Sequence, residues 1–173
     1  MGGKNWPPEA FNPETRLLYI PANENQCSYM EGRAVQYTPG QSFTGADFEV
    51  FKRFGADHIG ELQAWDVDTG ERAWTHEFKS RIQGSVLTTG GGLVFLGGGD
   101  FQAFHAVSGR LLWQMRTNYG RSGIPTTYSV DGVQYVAFQS GAQRLKTVDG
   151  RPLRNTEVPK GGLVWAFALD CQC

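Results

Sequence analysis

The sequence predicts an all-β chain built from about three consecutive four-stranded antiparallel meanders, the last one incomplete. Two observations carry this. The first is an internal repeat. Ala64-Trp65-Asp66-Val67-Asp68-Thr69-Gly70-Glu71-Arg72-Ala73-Trp74 and Ala103-Phe104-His105-Ala106-Val107-Ser108-Gly109-Arg110-Leu111-Leu112-Trp113 share the pattern Ala-aromatic-x-x-x-(Thr/Ser)-Gly-x-x-x-Trp, 39 residues apart. That period suits one propeller blade of four short strands. The second is composition: 23 glycines with no three-residue period, and no window with apolar residues at helical spacing. Turn-dense β structure accounts for both.

Each repeat reads as strand, turn, strand. An aromatic-rich run enters Asp-x-(Thr/Ser)-Gly, where the polar side chains bond turn backbone and Gly adopts positive φ. The chain then returns in a strand that ends in Trp.

Taken in order, residues 2–15 are punctuated by Gly and Pro, and Arg16-Leu17-Leu18-Tyr19-Ile20-Pro21 is the first clear strand. Residues 22–60 show no sustained period and form a long insertion between the second and third strands of a first blade, 5–78. Insertions of this length in compact domains are commonly functional or only partly ordered. A second blade, 82–116, contains four strand-length runs at 84–89, 92–97, 101–107 and 111–116, separated by Gly-containing turns.

The third blade, 122–170, opens at Ile124–Ser129, turns at Asp131-Gly132 and returns along Val133–Phe138. Residues 140–161 are a second, polar insertion, and Gly162–Leu169 supplies a third strand. No Thr-Gly turn or closing Trp follows before Cys173. Three blades, one short of a strand, fall below the four to eight that close a propeller. The expectation is one partial domain, 1–173, that self-associates or pairs with the missing blades through open end faces.

Composition excludes several classes. With 16 basic and 17 acidic residues, net −1, nothing marks a nucleic-acid or anionic-membrane surface. No apolar run spans a bilayer, and Met1–Pro8 has no signal-peptide h-region. Cys27, Cys171 and Cys173 make no disulfide framework, and Cys171-Gln-Cys173 is too sparse for zinc. The glycine runs 90–92 and 97–99 lack a following Gly-Lys-(Ser/Thr), so they read as turns rather than a phosphate loop. His58, His76 and His105 have no metal-ligand spacing. Asp66 and Asp68 read as turn residues, and Asp47, Asp57 and Asp100 as solvated loop charges.

The repeat, together with Gly3-x-Asn5-Trp6-Pro7-Pro8, Asn12-Pro13, Leu18–Ala22, Gly90–Phe95, Thr127-Tyr128-x-x-Asp131-Gly132-x-Gln134–Ala137 and Gly162–Leu169, resembles the quinoprotein alcohol dehydrogenases of the methanol and ethanol type. The resemblance runs across nearly the whole chain, in order, and matches the C-terminal segment of that family's eight-bladed propeller. It implies that the repeat is a tryptophan-docking motif, in which Trp74 and Trp113 pack between blades in equivalent buried positions. It implies oxidation of an alcohol with pyrroloquinoline quinone (PQQ), a Ca²⁺ or lanthanide ion, a cytochrome c-type electron acceptor and a periplasmic location.

Residue by residue, Asn5 matches the position where the family sets a side-chain amide against PQQ. A turn cap before Trp6-Pro7 is the alternative reading. Trp6 either walls the cofactor pocket or simply packs. Gln83 stands where methanol-oxidising members have a Trp, and Ala142-Gln143-Arg144 directly follow Gly141, where the family has a Gly-Trp-Gly-type loop. The family's metal ligands and catalytic base have no counterpart in this chain. A non-catalytic propeller scaffold or interaction module is the alternative function.

Overall fold

The computed structural model describes residues 3–34, 36–41, 45–98, 100–117, 121–141 and 162–169. Within them the chain is all β, without a helix. Six strands come first: β1 (Ala10–Asn12), β2 (Leu17–Asn23), β3 (Gln26–Gly32), β4 (Ala46–Lys52), β5 (Gly60–Asp66) and β6 (Arg72–Phe78). Four of them form an antiparallel sheet in the order β1-β2-β5-β6, while β3 and β4 pair only with each other. The insertion between the second and third strands of the first sheet is therefore a two-stranded ribbon rather than a featureless loop. Its base is closed by Arg53 N–H donating to the Asn25 carbonyl at 2.8 Å.

The second sheet holds β7 (Val86–Thr88), β8 (Leu93–Leu96), β9 (Asp100–His105) and β10 (Leu111–Arg116), a consecutive meander. The third holds β11 (Arg121–Ser122), β12 (Thr126–Val130), β13 (Val133–Gly141) and β14 (Gly162–Leu169). At Ser140 and Gly141, β13 pairs with both β11 and β14. At Gln134–Ala137 it pairs with both β12 and β14. A strand has two edges, so β11 and β12 occupy one and β14 the other. The third sheet is thus three strands wide among the described residues.

Strand alternation places the core. On β8, Val94 and Leu96 face the first sheet and join Leu17, Tyr19, Leu62, Ala64, Val86 and Phe104. Phe95, with Phe101 and Ala103, faces the third sheet and joins Val136 and Phe138. The middle sheet is buried on both faces, so the three sheets stack as layers. His76, on β6, points into the first cluster with its ring 4.9 Å from Phe78 and Phe104, and this burial holds its pKa below the usual imidazole value.

The repeat holds down to its irregularity. Trp65 pairs with Arg72 but Ala64 with Trp74; 39 residues on, Phe104 pairs with Leu111 but Ala103 with Trp113. Ala73 and Leu112 are the extra residues of two identical β-bulges. Gly70 and Gly109 both take positive φ, 73° and 68°. In the first turn the Asp66 carboxylate accepts the N–H groups of Asp68 and Thr69. In the second, His105 Nδ1 accepts the Ser108 N–H at 3.2 Å, so the imidazole replaces the carboxylate as turn acceptor.

The two tryptophans depart from the expected equivalence. The Trp74 indole N–H donates to the Ala106 carbonyl at 2.9 Å and the ring packs on the first core cluster. Trp113 is 41% exposed, lies edge-on to Phe101 and Phe167, and makes no hydrogen bond among the described residues. The expectation that both are buried is corrected here. Trp74 meets the Ser-Gly turn of the next repeat, whereas Trp113 meets the rings of Phe101 and Phe167.

Candidate functional site

Asn5 and Trp6 lie at a small cleft where three stretches of chain converge. The segment before β1 brings Asn5, Trp6 and Pro7; the end of β2 and the start of β3 bring Pro21, Asn23 and Gln26; and the β6–β7 connection brings Arg81, Ile82 and Gln83. Asn23 ties two of these together. Its side-chain amide donates to the Ile82 carbonyl at 3.1 Å, and its Oδ1 accepts the Ile82 N–H at 3.0 Å. Its backbone N–H also donates to Gly3, anchoring the first segment. One amide side chain thus stands in for a strand, and the connector is held to β2 without a ladder.

Within the cleft, Asn5 Oδ1 accepts the Trp6 N–H at 2.9 Å. That bond is the turn cap read as the alternative in the sequence. It uses only the oxygen, and the Asn5 amide N–H groups have no partner among the described residues. Trp6 is 70% exposed, with Pro7 buried behind it. Gln83 lines the same cleft as Asn5.

PQQ requires polar donors at its rim and flat walls on both faces. The Asn5 amide suits the rim, and Trp6 offers one exposed ring. The cleft itself is about 20 Å³, room for about one water. Small-molecule sites run to about 300–1,000 Å³. The residues present fit one edge of such a cofactor and do not enclose it. The Ala142–Arg144 stretch and the Cys171/Cys173 pair lie outside the described residues, and Cys27 is a free thiol.

The acidic residues are engaged elsewhere. Asp47 pairs with Arg33 and Asp68 with Arg16, while Asp100 accepts from Gln114 at 2.6 Å. Asp57 belongs to a cluster that the sequence did not reveal. His58 Nδ1 lies 2.7 Å from Asp57 and 3.6 Å from Glu77, and its Nε2 lies 2.8 Å from Glu61. Glu61 is 5% exposed and also accepts from Arg72 at 3.1 Å and Gln63 at 2.7 Å. Carboxylate bonds from Glu61 and Asp57 raise the His58 pKa, and the same contact lowers that of Asp57. With each ring nitrogen against a carboxylate, this is an ion-pair network. The only sequence hint was His58 and Glu61 three apart; Glu77 arrives through its cross-strand pairing with Glu61.

Stacked antiparallel sheets, a Trp docked on the next repeat's turn and a polar cleft at the strand connections define a segment of a β-propeller of the quinoprotein type. Residues 76–136 match the family model for the "PQQ: Glucose/ethanol/alcohol dehydrogenase, beta-propeller domain". The chain is 38% identical to quinoprotein alcohol dehydrogenase PedH of Pseudomonas putida, across 99% of this chain and 29% of that protein. It is 38% identical to a lanthanide-dependent methanol dehydrogenase of Methylacidiphilum fumariolicum, across 82% of this chain and 24% of the relative. Among solved structures, a europium-containing methanol dehydrogenase superposes with a TM-score of 0.74 at 36% identity, over 82% of this chain and 25% of the other. The quinohemoprotein alcohol dehydrogenase from Comamonas testosteroni gives 0.70 at 30% identity, over 96% and 26%. The chain belongs to the quinoprotein alcohol dehydrogenase family, and it spans about a quarter to three-tenths of the length of these relatives.

Proposed function

We propose that this chain is a segment of a PQQ-dependent alcohol dehydrogenase propeller whose full-length parent oxidises alcohols to aldehydes. The three sheets act as blades of one domain, 5–78, 82–116 and 122–170, and the chain supplies part of the cofactor rim. The observation that carries this is Asn5. It matches the family's cofactor-contacting amide, lies in a cleft with Trp6, and keeps its N–H groups unpartnered among the described residues. Asn5 would donate to a polar atom at the PQQ edge, and Trp6 would shield one face. When bound, the quinone accepts hydride from an alcohol, assisted by Ca²⁺ or a lanthanide.

In this reading the chain's residues bind and orient, and the base and metal ligands come from the rest of the parent. Misplacing a reacting group by about 1 Å costs about 10²-fold, so the chain alone is expected to retain PQQ weakly and to turn over nothing. A cytochrome c-type acceptor and a periplasmic location belong to the same proposal for the parent.

The test is equilibrium dialysis of purified chain with PQQ and Ca²⁺ or a lanthanide, followed by quinone absorbance after desalting and dye-linked oxidation of ethanol. The expected result is retained quinone, lost in Asn5→Ala, without alcohol oxidation. No retention by the wild-type chain would favour a non-catalytic scaffold, a reading consistent with the small cleft and Gln83. Turnover abolished by Asn5→Ala would show a base that the sequence does not reveal.

A further inference from the structure

The His58 cluster sits where the β3–β4 ribbon returns to the first sheet. His58 follows β4 by six residues and precedes β5 by two. Three carboxylates face its ring: Asp57 from its own loop, Glu61 from β5 and Glu77 from β6. Arg72 of β6 is spent on the far oxygen of Glu61. Gln63 also binds that oxygen and reaches Glu24 at 3.3 Å. Asn25, in the turn that opens the ribbon, places Nδ2 3.3 Å from His58 Nε2.

A neutral imidazole has one N–H and cannot donate to carboxylates at both nitrogens. The geometry at Asp57 and Glu61 is that of an imidazolium. We propose that His58 is a proton-operated latch: as imidazolium it clamps the base of the β3–β4 ribbon to β5 and β6, and loss of one proton loosens it.

The chemistry of release follows from the same contacts. Once Nε2 is bare it repels Glu61 and becomes an acceptor for the Asn25 amide N–H. His58 then exchanges a bond to the sheet for one to the ribbon. Glu61, buried, keeps Arg72 and Gln63, while Asp57 and Glu77 lose the imidazolium charge that faced them. Because Asn23 and Gln26 flank this turn and line the Asn5 cleft, the latch also holds one wall of that cleft. It does so whether or not the cleft takes a cofactor.

The sign is set by the raised pKa of His58. Its contribution is complete below the ordinary imidazole pKa of the unfolded chain and is lost as pH rises through the folded value. The latch is closed in mildly acidic solution and opens on the alkaline side.

The test uses the full chain. Long-range ¹H–¹⁵N correlation of the His58 ring, assigned with His58→Gln, reports both nitrogens across the pH range. Hydrogen-exchange protection factors, corrected for intrinsic pH dependence, report the β3–β4 amides. Both His58 nitrogens should be imidazolium-like in mild acid, and ribbon protection should fall about fivefold or more as that signal titrates. In Glu61→Gln, His58 should titrate at lower pH and the protection change should move with it. A neutral His58 tautomer in mild acid, or ribbon protection that is the same on both sides of its titration, would overturn the proposal.

Discussion

Gly70 and Gly109 occupy the same turn position in successive repeats, with the same left-handed backbone, yet their surroundings differ. A Cβ on Gly70 would meet nothing within 4 Å, while one on Gly109 would sit 2.6 Å from the Trp74 ring. Gly70→Ala should therefore cost only the left-handed strain of a non-glycine residue, about 1–2 kcal/mol. Gly109→Ala should cost that plus about 1–3 kcal/mol for displacing the indole. The tryptophans should show the matching asymmetry. Trp74→Ala should lose roughly 3–5 kcal/mol, and Trp113→Ala about half as much, because 41% of Trp113 already faces solvent. Urea unfolding of the four variants checks the set; equal losses at Trp74 and Trp113 would contradict the docking geometry. The turn chemistry at Asp66, Thr69, Ser108 and Gly109 was legible from residue type. Which Trp finds a turn was not, because that depends on the next repeat rather than the indole's own.

At the scale of elements, the β3–β4 ribbon stands apart from the three sheets. Its register puts Met30 opposite Phe48 on one face and Cys27 opposite Phe51 on the other, so apolar side chains project from both. Tyr29, Met30, Phe48 and Phe51 are each about half exposed or more. A two-stranded hairpin is marginal alone in water, and this one contributes little to the cores. Replacing residues 26–52 by a short linker, across ends that already pair, should change the unfolding free energy of the remainder by no more than about 1 kcal/mol. A thermal melt of the excised chain measures this; a large drop would mean that the ribbon buttresses the first sheet. The insertion was visible in the sequence, but its strands were not. Gln26-Cys27-Ser28-Tyr29-Met30-Glu31 lacks the polar-apolar alternation that a half-buried strand shows, because neither face of the ribbon is buried.

Across the whole molecule, the middle sheet is covered on both faces while the outer two are each covered on one. On β14, Leu163 is 45% exposed and Val164 72%, and Trp113, Tyr128 and Val130 are partly exposed elsewhere. A propeller segment left with such faces should associate through them. Light scattering of the purified chain over a concentration series should show growing mass, reduced by Val164→Lys. A monodisperse monomer with a sharp cooperative melt would show that the end sheets need no cover.

The sequence by itself determined the all-β class, the 39-residue repeat, the glycine turns and the family, because each is written in local residue types at regular spacing. Asn5 and Trp6 could be marked the same way, through a short motif. Only the tertiary structure decided that Trp74 docks and Trp113 does not. It also brought Asn5, Asn23 and Gln83 to one cleft and surrounded His58 with Asp57, Glu61 and Glu77. Those outcomes depend on which strand lies beside which. Asn23 meets Ile82 across 59 residues, and Glu77 reaches His58 because β6 pairs with β5 in one register. Spacing along the chain carries the period of a fold; contacts between distant strands follow from the register and stacking of its sheets.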